Sequence, residues 1–157
     1  KSLATPKTYA FKVNGYFVYL IGVIDWYSKH IIAWHLTNSM EAAMCVLTLE
    51  KAFQTQAKPE IINSDQGVQY TSKEWIERIK RESEDIKISM DGVGRWADNI
   101  CIERFWKTLK YEYLQKFSFD SMHALRDVLN YSFKHYNTVR FHQTLNYCTP
   151  VEIYHTN

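Results

Sequence analysis

Apolar residues recur along this chain with two different periods, and the change between them divides the sequence. Strand formers dominate the first third. Thr8 to Val13 and Tyr16 to Asp25 flank Asn14-Gly15, a pair that tolerates positive φ and so marks a tight hairpin. A second turn at Tyr27-Ser28-Lys29 leads into His30 to Leu36, which carries Ile31, Ile32 and Trp34. The pattern predicts three consecutive antiparallel strands.

Helical spacing then takes over. Met40, Ala43, Met44 and Leu47 predict a helix that runs to about Gln56 and is stopped by Lys58-Pro59. Asn38 with Glu41 resembles a capping box at its start. Glu60 to Asn63 reads as a short strand ending at Ser64-Asp65-Gln66-Gly67. Residues 72–82 read as a helix with Trp75, Ile76 and Ile79 apolar, and Ile86 to Met90 as a strand. Asp91-Gly92-Val93-Gly94-Arg95 is a loop. One further helix starts near Asp98 with the stripe Ile102, Phe105, Trp106, Leu109 and Tyr113. Another carries Met122, Leu125, Leu129, Phe133 and Tyr136. Three strands followed by strands alternating with helices predict an α/β fold, a mixed sheet with helices on its faces. No repeat, low-complexity run or flexible linker divides the chain, so it reads as one domain.

Composition narrows the function classes. With 46% hydrophobic and 23% charged residues among 157, the chain lies far from the disordered corner. Its 19 Lys and Arg against 17 Asp and Glu leave a net charge of +2. Binding nucleic acid by bulk charge is thereby excluded, and any such role must come from a local site. Cys45, Cys101 and Cys148 show no CxxC spacing. They argue against a disulfide framework or zinc cluster and suit a reducing compartment. The longest apolar run, Tyr16 to Ile24, falls short of the ~20 residues that span a bilayer. The first residues, Lys1 to Pro6, lack a signal-peptide pattern. The expectation is a cytoplasmic protein without membrane contact.

Two carboxylates stand out by position. Asp65 follows a predicted strand in a polar stretch, where ligands bind in open α/β sheets. Glu103 lies off the apolar stripe of its helix, within about 60° of Lys107 and Lys110 at 100° per residue. An acid beside two lysines could join a metal ligand to phosphate contacts, or Glu103 and Lys107 could form a plain surface ion pair. Asp25 reads as a turn residue bonding local backbone, with a ligand role as the alternative. Asp98 reads as a helix N-cap. No HxxxH or HExxH spacing joins the six histidines, and His123, His135 and His142 read as surface or helix-face residues. The Trp and Tyr stripes read as core.

Longer motifs carry a resemblance. They are Val18-Tyr19-Leu20 through Ile24-Asp25-Trp26-Tyr27-Ser28-Lys29, and Asn63-Ser64-Asp65-Gln66-Gly67-Val68-Gln69-Tyr70-Thr71-Ser72. Ile88 to Trp96 and Asp98-Asn99-Ile100-Cys101-Ile102-Glu103-Arg104-Phe105-Trp106 follow, then Lys110-Tyr111-Glu112. Tyr136-Asn137, Arg140, His142-Gln143-Thr144-Leu145 and Thr149-Pro150 complete the series. In this order they resemble the transposases of bacterial insertion sequences, whose catalytic domain is related to retroviral integrase. The resemblance spans residues 1–157 and implies a catalytic core without an N-terminal DNA-end-binding domain. It further implies a ribonuclease H-like fold, a mixed five-stranded sheet with helices on both faces. The implied site is a DDE triad holding two Mg²⁺ or Mn²⁺ ions. In two-metal catalysis one ion activates a water or 3′-hydroxyl and the other stabilises the leaving oxygen, and such hard cations prefer carboxylate oxygens.

Carried over by residue, the second Asp is Asp65 and the Glu is Glu103. The first Asp belongs to a motif Trp-x-Thr-Asp-x-Thr-Tyr. Here that stretch reads Leu3-Ala4-Thr5-Pro6-Lys7-Thr8-Tyr9, so Pro6 occupies the acid's position. Proline offers neither a ligand atom nor an N–H. The implied function is DNA transposition or integration by metal-dependent strand cleavage and transfer, impaired by Pro6. The alternatives are an inactive remnant that only binds DNA or intact transposase, and a hydrolytic nuclease of the same fold. Implied partners are double-stranded DNA, both transposon ends and target, and further copies of the chain on that DNA. Lys107, Lys110, Arg95, Arg140 and His142 are the candidate nucleic-acid contacts, positioning phosphates rather than reading bases.

Overall fold

Asn14 and Gly15 adopt φ values of 49° and 82°, the left-handed backbone that a two-residue hairpin loop requires. They join β1 (Leu3–Val13) to β2 (Tyr16–Asp25). A computed structural model of the chain describes residues 3–55, 58–90 and 100–156, with side chains from residue 6 onward. The remaining elements are β3 (Ile31–Thr37), α1 (Ala42–Thr55), β4 (Ile61–Ser64), α2 (Val68–Thr71) and α3 (Lys73–Glu82). After β5 (Lys87–Met90) come α4 (Ile100–Thr108), α5 (Met122–Thr138) and α6 (Pro150–His155).

The five strands form one mixed sheet in the order β3-β2-β1-β4-β5. β1–β2 and β2–β3 are antiparallel, while β1–β4 and β4–β5 are parallel. Strand alternation sends successive side chains to opposite faces. From β2, Val18, Leu20 and Ile24 join Ile102, Phe105, Trp106, Leu125, Leu129 and Phe133 on the α4/α5 face. Ile21 and Val23 join Cys45, Leu49, Trp75 and Ile79 on the α1/α3 face. Helices therefore cover both faces, as the motifs implied.

Several expectations need correcting. The buried positions of α1 are Cys45, Thr48, Leu49 and Ala52, whereas Met40 and Leu47 are exposed. The apolar spacing was right but the inward face is turned by one residue. The expected Asn38–Glu41 box is replaced by Ser39 Oγ, which accepts the Glu41 N–H at 3.3 Å. The loop 91–95 and the cap at Asp98 lie outside the described residues. Past α4 the helix widens into a π turn (Leu109–Tyr113) and tightens into a 3₁₀ turn (Leu114–Lys116). α6 went unanticipated, although Thr149 and Glu152 form a complete capping box with Pro150 in the first turn, a recognisable start signal.

Much of the C-terminal motif is architectural. Asn137 accepts the Ile31 N–H at 2.9 Å and donates to the Ile31 carbonyl at 3.0 Å, so its amide acts as one more strand residue on the edge of β3. Among the described residues, no helix is long and apolar enough to cross a membrane.

Candidate active site

β4 runs parallel to β1 with Ala4 opposite Ile62. That direction carries Asp65, three residues past Ile62, level with Lys7, three past Ala4. Asp65 Oδ1 accepts the Gly67 N–H at 2.8 Å. A Cβ on residue 67 would stand 2.8 Å from the same oxygen, so only a glycine leaves this carboxylate its seat. Burial raises the pKa of Tyr70 well above its usual value, and the Asp65 charge pushes it further the same way. Asp65 also adds to the upward shift of the buried Cys45 thiol. Tyr70 on α2 and Cys45 on α1 thus lie within reach of its charge. Tyr70 is locked there by a 3.0 Å bond between its hydroxyl and Thr8 Oγ1.

Glu103 approaches from α4. Lys7 lies opposite Gly22 in the β1–β2 ladder, and Pro6 opposite Val23. Gly22 lies against Trp106 of α4, while Val23 belongs to the α1/α3 core. Lys7 consequently points to the α4 side and Pro6 away from it. The Lys7 ammonium reaches Glu103 Oε1 at 3.4 Å, with side-chain exposures of 21% and 54%. The expected neighbour Lys107 is not the partner: Glu103 is drawn across to the strand. An ion pair this exposed contributes about 0.2–1 kcal/mol to stability, so its interest lies in which carboxylate it occupies.

These residues do not fit a two-ion site. Position 6 supplies a buried proline and no oxygen. Glu103 is engaged by an ammonium. Among the described residues, no three of His, Cys, Asp or Glu are grouped so as to hold a metal. Asp25 Oδ1 is buried without a hydrogen-bond partner among the described residues. Its Oδ2 accepts from the Ser28 N–H at 2.8 Å and the Ser28 hydroxyl at 2.6 Å, so it is a buried turn residue.

Lys107 and Lys110 are both exposed. The π turn begins between them, and Lys110 lies 5.2 Å from the Tyr111 ring centroid. Arg140 grips Glu112 with two bonds, Nε–Oε2 at 2.6 Å and Nη2–Oε1 at 2.7 Å. Its Nη1 donates to His142 Nδ1 at 3.1 Å, because a guanidinium can only donate. His142 is 8% exposed, which corrects its reading as a surface residue. Burial and the Arg140 charge push its pKa down to about 4, leaving it neutral at pH 7. His123 is exposed beside Asp127, and His135 bonds the Tyr113 hydroxyl at 2.8 Å. A cleft of about 450 Å³ beside α4 is lined by Lys29, Arg104, Arg140, Phe141 and Tyr147 among others. Arg95 lies outside the described residues.

Sequence reasoning missed Lys7 and Gly67. The signal for Lys7 was available: the register set by the Asn14-Gly15 hairpin pairs it with Gly22, and parity then sends both to the stripe of α4.

Residues 5–95 match the Integrase core domain family, and residues 84–150 match a second family of the same description. InsK of insertion sequence element IS150, from Escherichia coli strain K12, is 32% identical over 144 residues, which make up 90% of this chain and 50% of that protein. The transposase InsF of insertion sequence IS3A, from the same strain, is 31% identical over 143 residues, 89% of this chain and 49% of its own length. The chain thus spans about half the length of the curated relatives it matches. Among solved structures, the HTLV-2 integrase catalytic core domain in complex with magnesium superposes with a TM-score of 0.78 at 20% identity. The match covers 96% of this chain and 94% of that one, a likeness of fold.

Proposed function

The chain belongs to the Integrase core domain family, and from that membership we propose that residues 1–157 form the core domain of a transposase. Its substrate in this reading is double-stranded DNA, transposon ends and target alike, and its chemistry is that of a polynucleotidyl transferase. One observation carries the reading: Asp65 directly follows β4, the parallel neighbour of β1, and Glu103 on α4 reaches Lys7 of β1 at 3.4 Å. These are the two acids that the DDE resemblance requires.

The third acid is replaced by Pro6 and Glu103 is held by Lys7, so strand cleavage and transfer are absent or severely reduced in this chain. The family's Mg²⁺ or Mn²⁺ pair lacks a full donor set here. What remains is the grip on DNA. Lys107 and Lys110, exposed one and two turns beyond Glu103, meet backbone phosphates. Arg140 contributes from the cleft wall, and neutral His142 acts by orienting the Arg140 guanidinium. Self-association on DNA belongs to the same reading, as does Arg95 as a further phosphate contact.

The test is a binding and cleavage assay on end-labelled duplex DNA with Mn²⁺. The unmodified chain binds duplex, and Lys107→Gln and Lys110→Gln each reduce the slope of log K against log salt by about 1. Neither cut nor joined products form. Efficient cutting or joining by the unmodified chain would overturn the loss of catalysis, and hydrolysis without joining would favour a nuclease. Failure to bind duplex at low salt would overturn the DNA-acting reading itself.

A further inference from the structure

Resting on the reading above, we propose that Lys7 is a built-in cation that holds the Glu103 carboxylate in the role a divalent ion would otherwise fill. The consequence is that this site was closed to metal by two changes, and restoring an acid at position 6 alone does not reopen it.

The strand geometry makes the lysine effective. Lys7 belongs to a central strand, flanked by β2 and β4, and stands opposite Gly22. The absence of a side chain at Gly22 lets Trp106 close to within 3.0 Å of where a Cβ would be, drawing α4 down onto the sheet. The Lys7 side chain is only 21% exposed, against 54% for Glu103. The cation is therefore the fixed partner and the glutamate reaches to it. Pro6, one residue earlier, faces the opposite side of the sheet. The two adjacent residues thus act separately: one leaves position 6 without the carboxylate that the resemblance places there, and the other neutralises Glu103. An ammonium contacting Glu103 opposes entry of a divalent ion twice, by occupying an oxygen and by direct repulsion. At contact distance, even in a water-like dielectric, that repulsion corresponds to at least about a tenfold loss of affinity.

The proposal is tested by titrating Mn²⁺ into the unmodified chain, Pro6→Asp, Lys7→Met, Pro6→Asp/Lys7→Met and Pro6→Asp/Lys7→Arg. Isothermal calorimetry is read together with the electron paramagnetic resonance signal of free Mn²⁺. Circular dichroism melts confirm that each variant folds. The expected result is that Pro6→Asp/Lys7→Met binds Mn²⁺ at least about tenfold more tightly than Pro6→Asp, while Pro6→Asp/Lys7→Arg behaves like Pro6→Asp because the cation persists. Equal Mn²⁺ affinity in Pro6→Asp and Pro6→Asp/Lys7→Met would overturn it. So would a folded Pro6→Asp/Lys7→Met that binds no Mn²⁺, since removing the ammonium would then have freed nothing. A double variant that binds Mn²⁺ but not DNA would instead count against the DNA-acting reading and leave the role of Lys7 standing.

Discussion

The Gly67 N–H holds Asp65 Oδ1 at 2.8 Å, and a methyl group on residue 67 would stand 2.8 Å from that oxygen. Gly67 has φ −58° and ψ 147°, a backbone that alanine adopts without strain. Gly67→Ala therefore acts on the aspartate and not on the loop. The clash meets the free ends of two side chains, Asp65 Oδ1 at 2.8 Å and Gln69 Oε1 at 2.9 Å, which rotate away, and Asp65 surrenders its hydrogen bond. The loss of about 1 kcal/mol is offset in part by the stiffer unfolded chain. The melting temperature consequently moves by no more than about 2–4 °C, while a crystal structure of the variant shows Asp65 in a different rotamer.

Gly22 works differently, because its obstacle is a core ring. A Cβ there would lie 3.0 Å from the Trp106 ring, which is packed against Tyr9 and Phe105. Gly22→Ala overpacks this seam and costs about 1–3 kcal/mol. Denaturant unfolding followed by tryptophan fluorescence reads both the lower midpoint and the altered environment of Trp106. An unchanged midpoint would mean that α4 is not tied to the sheet through Gly22.

Glu112 and Arg140 clasp the π turn to the segment after α5. The bonds from Arg140 hold the Glu112 carboxyl below its ordinary range. A depressed folded pKa gives stability that is present above the unfolded carboxylate value and lost as pH falls through the folded one. The window is thus below about pH 4.3. With the Glu112 side chain 46% exposed, solvent screening limits the gain to about 0.5–1 kcal/mol. Arg140→Lys keeps the charge but loses the two-pronged geometry. It lowers the melting temperature at pH 7 by about 1–4 °C, and Glu112→Gln flattens the loss of stability below pH 4.3.

His142 and His30 set a second, higher window. Burial foremost pushes each of them down to about 4. Between that value and the unfolded 6.5 the unfolded chain binds protons that the native chain refuses. Stability therefore falls as pH drops from about 6.5 toward 4, by on the order of 1–2 kcal/mol for each histidine after allowance for solvent screening. Urea unfolding at pH 7.5, 6 and 5 shows this slope in the unmodified chain and a shallower one in His142→Gln, where His30 and His35, also pushed down by burial, keep the remainder.

The fold was legible where one local signal had no competitor. Asn14-Gly15 fixed the hairpin and its register, and the stripes from Ile102 to Tyr113 and Met122 to Tyr136 found the helices of one face. α1 was placed but rotated, because Met40, Met44 and Leu47 share the spacing of Cys45, Leu49 and Ala52. Apolar periodicity alone does not say which of two overlapping faces is buried. Asp65 was singled out by its strand end, and it does follow β4 directly. The partner of Glu103 was not found, because helical spacing offers Lys107 and Lys110 whereas Lys7 is 96 residues distant and enters only through sheet register. The buried, neutral state of His142 is likewise tertiary, created by Tyr136, Arg140 and the bridge from His142 to Cys148.

The central claim is that Asp65 and Glu103, with Pro6 on β1, do not make a two-ion site. A crystal of the unmodified chain soaked in Mn²⁺, with anomalous scattering recorded at the manganese edge, measures this directly. The prediction is no pair of manganese peaks beside Asp65 and Glu103, with the Lys7 ammonium still on the Glu103 carboxylate. Two peaks about 3.5–4 Å apart, bound by Asp65 and Glu103 with Lys7 displaced, would contradict it.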